Sequence, residues 1–213
     1  MQCVILAAGE GSRMRPLTTS RPKVMLPLAG KPSLEHLIRN VKAAGISDII
    51  IVVGYREEAI RSYFGDGSEF GVSIKYVVQR KQLGTADALR TAEPFVTDTF
   101  LMLNGDMVVD VEDLTKICET KAPVMAVSTT THPEDFGVVT LSGDKISSLE
   151  EKSPEPKSNI INAGAYLFGC EIFDTLKKVS PSSRGEYELT DALMDYIAEN
   201  RLSAHQLSLW MDV

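Results

Sequence analysis

Cysteine and histidine are scarce in this 213-residue sequence, and their scarcity narrows the chemistry that the chain can carry. Cys3, Cys118 and Cys170 are scattered, odd in number and without the spacing of a metal site. This usage fits a reduced cytosolic protein whose cysteines are small core residues. The three histidines match no motif, so we expect them on helix faces or at the surface rather than in catalysis.

Long hydrophobic runs are also missing. The longest aliphatic run, residues 49–53, is far too short to cross a bilayer. The apolar run at residues 4–8 lacks the preceding basic residues of a signal peptide. We therefore expect a soluble cytoplasmic protein with no membrane partner.

An excess of basic residues is the third absence. The formal net charge is −7, which argues against a general nucleic-acid binder because such proteins need a basic surface to attract phosphate backbones. The charge is uneven, however, since residues 1–32 carry +4 and residues 33–213 carry −11. The basic first segment is therefore a candidate site for a small phosphate ligand.

Short apolar runs alternate with segments of helical period, and the length suits one domain or at most two. The runs predict strands at residues 3–6, 48–53, 73–78, 100–103, 124–128 and 165–168. The periodic segments predict a helix that includes residues 34–41 and stops at Gly45, and further helices at residues 57–64, 85–92, 111–119, 171–178 and 189–199. This alternation indicates an α/β fold with a doubly wound, mostly parallel sheet. Residues 136–151 interrupt it and predict an inserted β-hairpin. Ligands of such sheets bind at the carboxyl ends of the strands.

The first predicted strand runs into the segment LAAGEGSRMRPLTTSRPK. Gly9 and Gly11 allow a close approach of backbone to ligand, and successive backbone N–H groups can cradle phosphate oxygens. Arg13 and Lys23 bring positive charge to the same place. The dinucleotide fingerprint fails because a methionine occupies its third glycine position, and the Walker pattern fails as well. The segment therefore predicts a phosphate-binding loop of another type.

The segment QRKQLGTADAL follows the third strand and opens a helix. The side-chain amide of Gln79 presents a donor and an acceptor, which match the O4 and N3–H edge of uracil or thymine. Gly84 would let the backbone press against the base, and Thr85 predicts the N-cap of the helix. A side-chain amide can rotate, so Gln79 alone does not exclude cytosine.

The fourth strand ends in Asn104, Gly105 and Asp106. A carboxylate at the carboxyl end of a strand lies where a nucleotide-bound Mg²⁺ would be held. On its own, this tripeptide more often forms a plain turn. Asp110 follows four residues later, unlike the D-x-D pair of glycosyltransferases.

Together these motifs resemble the sugar-1-phosphate nucleotidylyltransferases, which include glucose-1-phosphate thymidylyltransferases and N-acetylglucosamine-1-phosphate uridyltransferases. The signature L-A-A-G-x-G-[ST]-R-[LM], then P-x-T and P-K, is complete in residues 6–23, and the resemblance covers essentially the whole chain. It implies a Rossmann-like nucleotidyltransferase fold, with Mg²⁺ as cofactor and catalysis by Arg13, Lys23 and Asp106. The nucleotide-binding residues that it implies are Leu6, Ala8, Gly9, Gly11, Ser12, Arg13, Gln79, Gly84 and Thr85.

The same resemblance places the sugar phosphate in the second half of the chain. The residues that it implies there are Gly137, Glu151, Lys152, Asn162 and Arg184. Asn162 matches the N-x-G of uridylyltransferase relatives, whereas many bacterial thymidylyltransferases carry another residue at that position. Thr190 is expected to cap a helix.

Asp212 stands in the motif W-x-D-V, and by resemblance it is the second metal ligand. In the family this motif runs on, and some relatives continue into a left-handed β-helix acyltransferase domain. We therefore expect residues 1–213 to form a nucleotidyltransferase domain that is truncated at its C-terminus. A frayed end at Asp212 would leave the metal site incomplete.

The reaction implied by the resemblance joins a nucleoside triphosphate to a sugar 1-phosphate and releases pyrophosphate. The first expectation is dTTP or UTP with glucose 1-phosphate, and the second is UTP with N-acetylglucosamine 1-phosphate. A non-catalytic regulatory paralogue that binds nucleotide sugars and a glycosyltransferase are the alternatives. The sequence does not decide whether the chain forms a homo-oligomer.

Overall fold

The computed structural model of the protein describes residues 1–182 and 184–212, so Val213, the last residue of the predicted domain, lies outside the described part. The strands are β1 Gln2–Ala7, β2 Pro27–Leu28, β3 Lys31–Pro32, β4 Asp48–Val53, β5 Ser73–Val78, β6 Phe100–Asn104, β7 Met107–Val109, β8 Val124–Thr129, β9 Gly137–Ser142, β10 Lys145–Glu151, β11 Ile160–Phe168, β12 Ser203–Gln206 and β13 Trp210–Asp212. The helices are α1 Ser33–Ala43, α2 Glu57–Phe64, α3 Thr85–Thr91, α4 Val111–Glu119, α5 Ile172–Leu176 and α6 Leu189–Ala198.

The main sheet has the strand order β5-β4-β1-β6-β11-β8-β12-β10-β9 within the described residues. Its first four strands are parallel, as expected where helices connect successive strands. Beyond them β11 runs antiparallel to both β6 and β8, so the second half of the sheet is mixed. An apolar run does not reveal strand direction, which is why the sequence predicted a more uniformly parallel sheet. The Rossmann-like α/β class is confirmed.

The predicted hairpin is present as β9 and β10, and it forms an edge of the main sheet. Strand β9 also reaches β11, where Val138 lies opposite Ile161. Gly137 and Glu151 are directly opposed across the hairpin. The hairpin therefore brings two of the residues implied for the sugar phosphate next to each other.

Helices cover both faces of the sheet because successive side chains of a strand point to opposite sides. In β1, Cys3 and Ile5 belong to one buried cluster, packed by α1, α2 and α4. Val4 belongs to the other cluster, packed by α3, α5 and α6. The doubly wound arrangement leaves the carboxyl edge of the parallel strands open for a site. In the part of the chain that the structure describes, no helix is long and apolar enough to cross a membrane.

A buried carboxylate ties α1 to α2 on the first face. Glu35 is 2% exposed and accepts hydrogen bonds from Lys31 Nζ (3.0 Å), Arg39 Nε (2.7 Å) and Tyr63 Oη (2.7 Å). Burial by itself would raise the pKa of Glu35, but the three hydrogen bonds lower the pKa to about 2. The ionised carboxylate thus stabilises the folded state.

Replacing Glu35 with glutamine is expected to lower the free energy of unfolding at neutral pH by about 1–3 kcal/mol, since charge-assisted hydrogen bonds are lost. The folded-state pKa lies below the ordinary value of 4.5, so the stabilisation is full above pH 4.5 and fades as the pH falls towards 2. Urea unfolding of both proteins between pH 2 and 7 measures this difference. Glu69→Gln, at an exposed position, is the control. If the difference in free energy of unfolding between Glu35→Gln and the parent does not change with pH, the stabilisation does not come from the ionised Glu35 carboxylate.

Candidate active site

Two adjoining cavities lie along the carboxyl edge of the parallel strands. The glycine-loop cavity, about 360 Å³, is lined by Leu6, Ala8, Gly9, Gly11, Gln79 and Gly84 among others. The hairpin cavity, about 430 Å³, is lined by Gly137, Glu151, Lys152, Asn162, Arg184 and Asp212 among others. Both share the residues Arg13, Lys23, Thr85, Asn104, Asp106 and Glu186. The residues implied for the nucleotide and those implied for the sugar phosphate therefore meet at one junction.

Ser12 is the exception among the sequence-predicted site residues. It is exposed, begins a single 3₁₀ turn over Ser12–Met14, and lies outside the lining of both cavities.

Lys23 occupies the junction between two carboxylates. Its Nζ lies 2.9 Å from Asp106 Oδ2 and 3.0 Å from Asp212 Oδ1. Burial would lower the pKa of the ammonium group, but the two carboxylates outweigh it and the pKa is raised above its ordinary value. A positive charge is therefore held where the two cavities meet.

The glycine loop is shaped to accommodate Lys23. Gly11 has φ +70°, and a Cβ at that position would lie 2.7 Å from Lys23 Cβ. Thr18, from the P-x-T element, is fully buried and donates its hydroxyl hydrogen to the carbonyl of Gly11 (3.0 Å). Gly11 thus serves the packing of the lysine stem, a purpose that the sequence did not reveal.

The short strand pair β7–β13 brings Asp212 to Asp106. In that pair Asp212 lies opposite Met107, the residue that follows Asp106. Two carboxylates that converge on one ammonium group offer the oxygen donors that Mg²⁺ prefers, and Mg²⁺ commonly completes its shell with water and substrate phosphates. Among the described residues no group of three or more His, Cys, Asp or Glu side chains could hold a metal. Asp106 and Asp212 could together supply two oxygen ligands to a divalent cation.

The segment that carries Asp212 is anchored on both sides. Trp210 Nε1 donates to Ala163 O (2.8 Å), and Ser208 donates from its backbone N (2.8 Å) and Oγ (2.7 Å) to Asp113 Oδ2. Burial would raise the pKa of Asp113, but hydrogen bonds from Ser208 and His205 hold it below its ordinary value. His205, expected on a helix face or at the surface, lies instead on β12 beside this carboxylate. These contacts fasten the segment that leads into β13, whose last residue is Asp212.

Gln79, in the wall of the glycine-loop cavity, is 5% exposed, and its amide nitrogen is hydrogen-bonded within the protein. Its Nε2 donates to Gly84 O (3.1 Å) and to Asp87 Oδ2 (2.9 Å). Gly84 has φ +103°, and a Cβ there would lie 2.5 Å from Tyr187 O. A larger residue at position 84 would therefore push away the chain segment that leads into α6.

Two predicted helix caps are wrong. Gly84, not Thr85, occupies the N-cap position of α3, and Thr85 Oγ1 instead accepts a hydrogen bond from Leu189 N (3.0 Å) at the start of α6. Thr190 is the second residue of α6, whose N-cap position is Glu188. In the described residues, Thr190 Oγ1 is the one buried side-chain oxygen or nitrogen without a hydrogen-bond partner, and Thr190 lines the hairpin cavity. Thr85 thus contacts the start of α6, 104 residues further along the chain, which local sequence patterns do not show.

The hairpin cavity combines acidic and basic side chains. Arg184 lies 2.8 Å from Glu188 Oε1 and 3.9 Å from Glu151 Oε1. Burial raises the pKa of Glu151 above its ordinary value, although the positive charge of the nearby Lys152 partly offsets this effect. Such paired carboxylates and cations can bind sugar hydroxyls and a phosphate together.

Sequence reasoning missed further residues that line the cavities. Among them are Gln82, Asp135, Tyr166, Glu186, Glu188 and Trp210. Tyr166 Oη bonds both side-chain atoms of Asn162, at 2.8 Å from Oδ1 and 2.6 Å from Nδ2. Asn162 and Tyr166 meet at an irregularity of β11, because the register of its pairing with β8 shifts between them and Gly164 has φ +79°. Trp210 stands in the W-x-D-V motif, but only the pairing of β13 with β7 shows that it reaches the cavity, and the acidic residues reach it from turns and loops.

Comparison with known proteins gives the family. The Nucleotidyl transferase family matches residues 2–213. The chain is 44% identical over 217 residues to the Bifunctional protein GlmU of Methanococcus maripaludis strain C7, an alignment that covers 100% of this chain and 51% of that protein. It is 38% identical over 207 residues to the glucose-1-phosphate thymidylyltransferase of Streptomyces griseus, covering 94% of this chain and 58% of that one. The chain thus spans about half the length of the curated relatives it matches.

Comparison with solved structures indicates the same family. A crystal structure from Bacillus anthracis, of a protein provisionally named a glucose-1-phosphate thymidylyltransferase, matches with a TM-score of 0.89 and 35% identity. That match covers 100% of this chain and 89% of the other. The junction of two cavities at Lys23, the glycine loop and these matches lead to one conclusion: the chain belongs to the sugar-1-phosphate nucleotidyltransferase family.

Proposed function

We propose that this protein forms a nucleoside diphosphate sugar and pyrophosphate from dTTP or UTP and a sugar 1-phosphate. The observation that carries the proposal is the meeting of the glycine-loop cavity and the hairpin cavity at Lys23, Asp106 and Asp212. A nucleotide in the first cavity and a sugar phosphate in the second would direct their phosphates to that junction. Residues 1–213 would form the nucleotidyltransferase domain.

The chemical step needs charge neutralisation more than a protein nucleophile. An oxygen of the sugar phosphate attacks the α-phosphorus, a new P–O bond forms, and the bond to the β-phosphate breaks with its electron pair leaving on pyrophosphate. Both reactants are anions, so their repulsion opposes the approach. Arg13, Lys23 and the amides of the glycine loop would offset that repulsion and hold the phosphates in line.

A divalent cation, Mg²⁺ in our proposal, would be held by Asp106 and Asp212 together with phosphate oxygens. When bound, it would withdraw negative charge from the triphosphate. Lys23 now lies between the two carboxylates and would turn towards the phosphates as they enter.

For the sugar, glucose 1-phosphate is the first candidate and N-acetylglucosamine 1-phosphate the second. The name of the Streptomyces griseus relative supports the first. Asn162 supports the second, since the N-x-G element resembles uridylyltransferases and Tyr166 fixes the side chain at the cavity wall. The regulatory alternative is less favoured because Arg13, Lys23 and Asp106 all line the junction, and a non-catalytic paralogue would be expected to lose them.

A pyrophosphate-release screen tests the proposal. The full-length protein would be assayed with each of the four common ribonucleoside triphosphates and dTTP against the 1-phosphates of glucose, N-acetylglucosamine, mannose and galactose, with Mg²⁺ and with EDTA. Release with UTP or dTTP and one of the first two sugars, abolished by EDTA, is the expected result. No release from any pair would overturn the enzymatic assignment and favour the regulatory alternative.

A further inference from the structure

The side-chain amide of Gln79 has a fixed orientation. A primary amide nitrogen carries two hydrogens, and both are used, one on Gly84 O (3.1 Å) and one on Asp87 Oδ2 (2.9 Å). Gln79 is almost fully buried on the wall of the glycine-loop cavity. The atom left to meet a ligand is therefore Oε1, which can only accept a hydrogen bond.

Rotating the amide by 180° would be costly. Oε1 would then face the carbonyl of Gly84 and the carboxylate of Asp87. All three oxygens are acceptors, so no hydrogen bond could form. Buried polar groups left without partners are expensive, more so beside a charge. Of the two acceptors, the carboxylate is the stronger, and it stands on α3 three residues beyond Gly84.

We infer that Asp87 is a specificity-determining positioning residue, which selects uracil or thymine over cytosine by holding Gln79 in its acceptor orientation. The inference rests on the proposed function, which places a pyrimidine base in the glycine-loop cavity. Uracil and thymine carry a hydrogen on N3 that Oε1 accepts, whereas N3 of cytosine is itself an acceptor. In the sequence alone, the Gln79 amide could rotate, so cytosine was not excluded. The Asp87 carboxylate opposes that rotation.

The test compares kcat/KM for UTP and CTP in the parent protein and in the variant Asp87→Asn. The control is Asp144→Asn, because Asp144 is an exposed turn residue far along the chain. Asparagine keeps the size of Asp87 but can donate to a rotated Gln79, so the UTP:CTP ratio is expected to fall about tenfold or more. The control should keep the parental ratio. 3-Methyluridine triphosphate, which lacks the N3 hydrogen, should be as poor a substrate for the parent as CTP.

Calorimetric binding of UTP and CTP is measured alongside, with Asp87→Ser as a second variant and circular dichroism to check folding. If the Asp87 variants keep the parental UTP:CTP ratio, including the case in which both nucleotides lose equally, Asp87 has a merely structural role and the inference is overturned. A parent that binds UTP over CTP without turning it over would instead overturn the proposed reaction, and the binding ratios would then decide the role of Asp87. A parent that prefers CTP would refute the inference outright.

Discussion

Lys23→Ala is expected to lower kcat about 100-fold or more while the protein stays folded, the loss typical of removing one preorganised charge contact from a transition state. Lys23 Nζ lies where the two cavities meet, within 3.0 Å of carboxylates from β13 and from the turn after β6. Its removal leaves the repulsion between the two reacting phosphates less compensated. Steady-state pyrophosphate release with saturating substrates measures the effect.

The control for this prediction is Lys42→Ala, which removes an exposed lysine from α1. Losing the two ion pairs should change the free energy of unfolding little. The side chain of Asp106 is 32% exposed and that of Asp212 is 42% exposed, so solvent screens both pairs. Thermal unfolding would verify that the variant is folded. A folded Lys23→Ala protein with near-normal turnover would disprove the assignment of Lys23 to the reaction.

Asp106→Asn is expected to lower kcat about 100- to 1,000-fold and to raise the Mg²⁺ concentration needed for half-maximal rate. The substitution keeps the size of the side chain but removes one of the two charges that converge at the junction. Asp212→Asn should shift the Mg²⁺ requirement in the same direction, because the proposal gives Asp212 the same Mg²⁺ as Asp106, and both carboxylates lie against Lys23. Rates measured across a Mg²⁺ titration give both quantities.

Asp110→Asn is a matched control four residues away. The Asp110 carboxylate caps α4 by accepting a hydrogen bond from Glu112 N (2.8 Å), and asparagine can keep that bond. It should therefore leave the Mg²⁺ titration unchanged. If Asp110→Asn rather than Asp106→Asn shifted the titration, the metal ligands would have been misassigned and a glycosyltransferase-like arrangement would regain support.

Elements with a strong local pattern were predicted closely. The strands over 48–53 and 73–78 and the helices over 57–64 and 111–119 begin and end at the predicted residues. Their apolar residues repeat with the period of one element type and are bounded by turn residues, so local sequence and tertiary packing agree.

Two of the strands that were missed, β12 and β13, depend on distant partners. Strand β12 is largely polar and pairs in parallel with β8, nearly eighty residues earlier in the chain. Strand β13 is three residues long and pairs with β7. Neither carries enough apolar alternation to be recognised alone, because the partner strand and not the local pattern stabilises it.

The sequence by itself determined the chemistry that this chain offers: a glycine loop after a first buried strand, two cations within it, and carboxylates at strand ends. The scattered cysteines lack the spacing of a metal site, and the histidines match no motif. Tertiary structure alone decided which of these groups meet. It placed Lys23 between Asp106 and Asp212, and it oriented Gln79 through Asp87. Residue types fix which hydrogen bonds and charges are available, whereas the distance between groups far apart in sequence is set by strand order and packing.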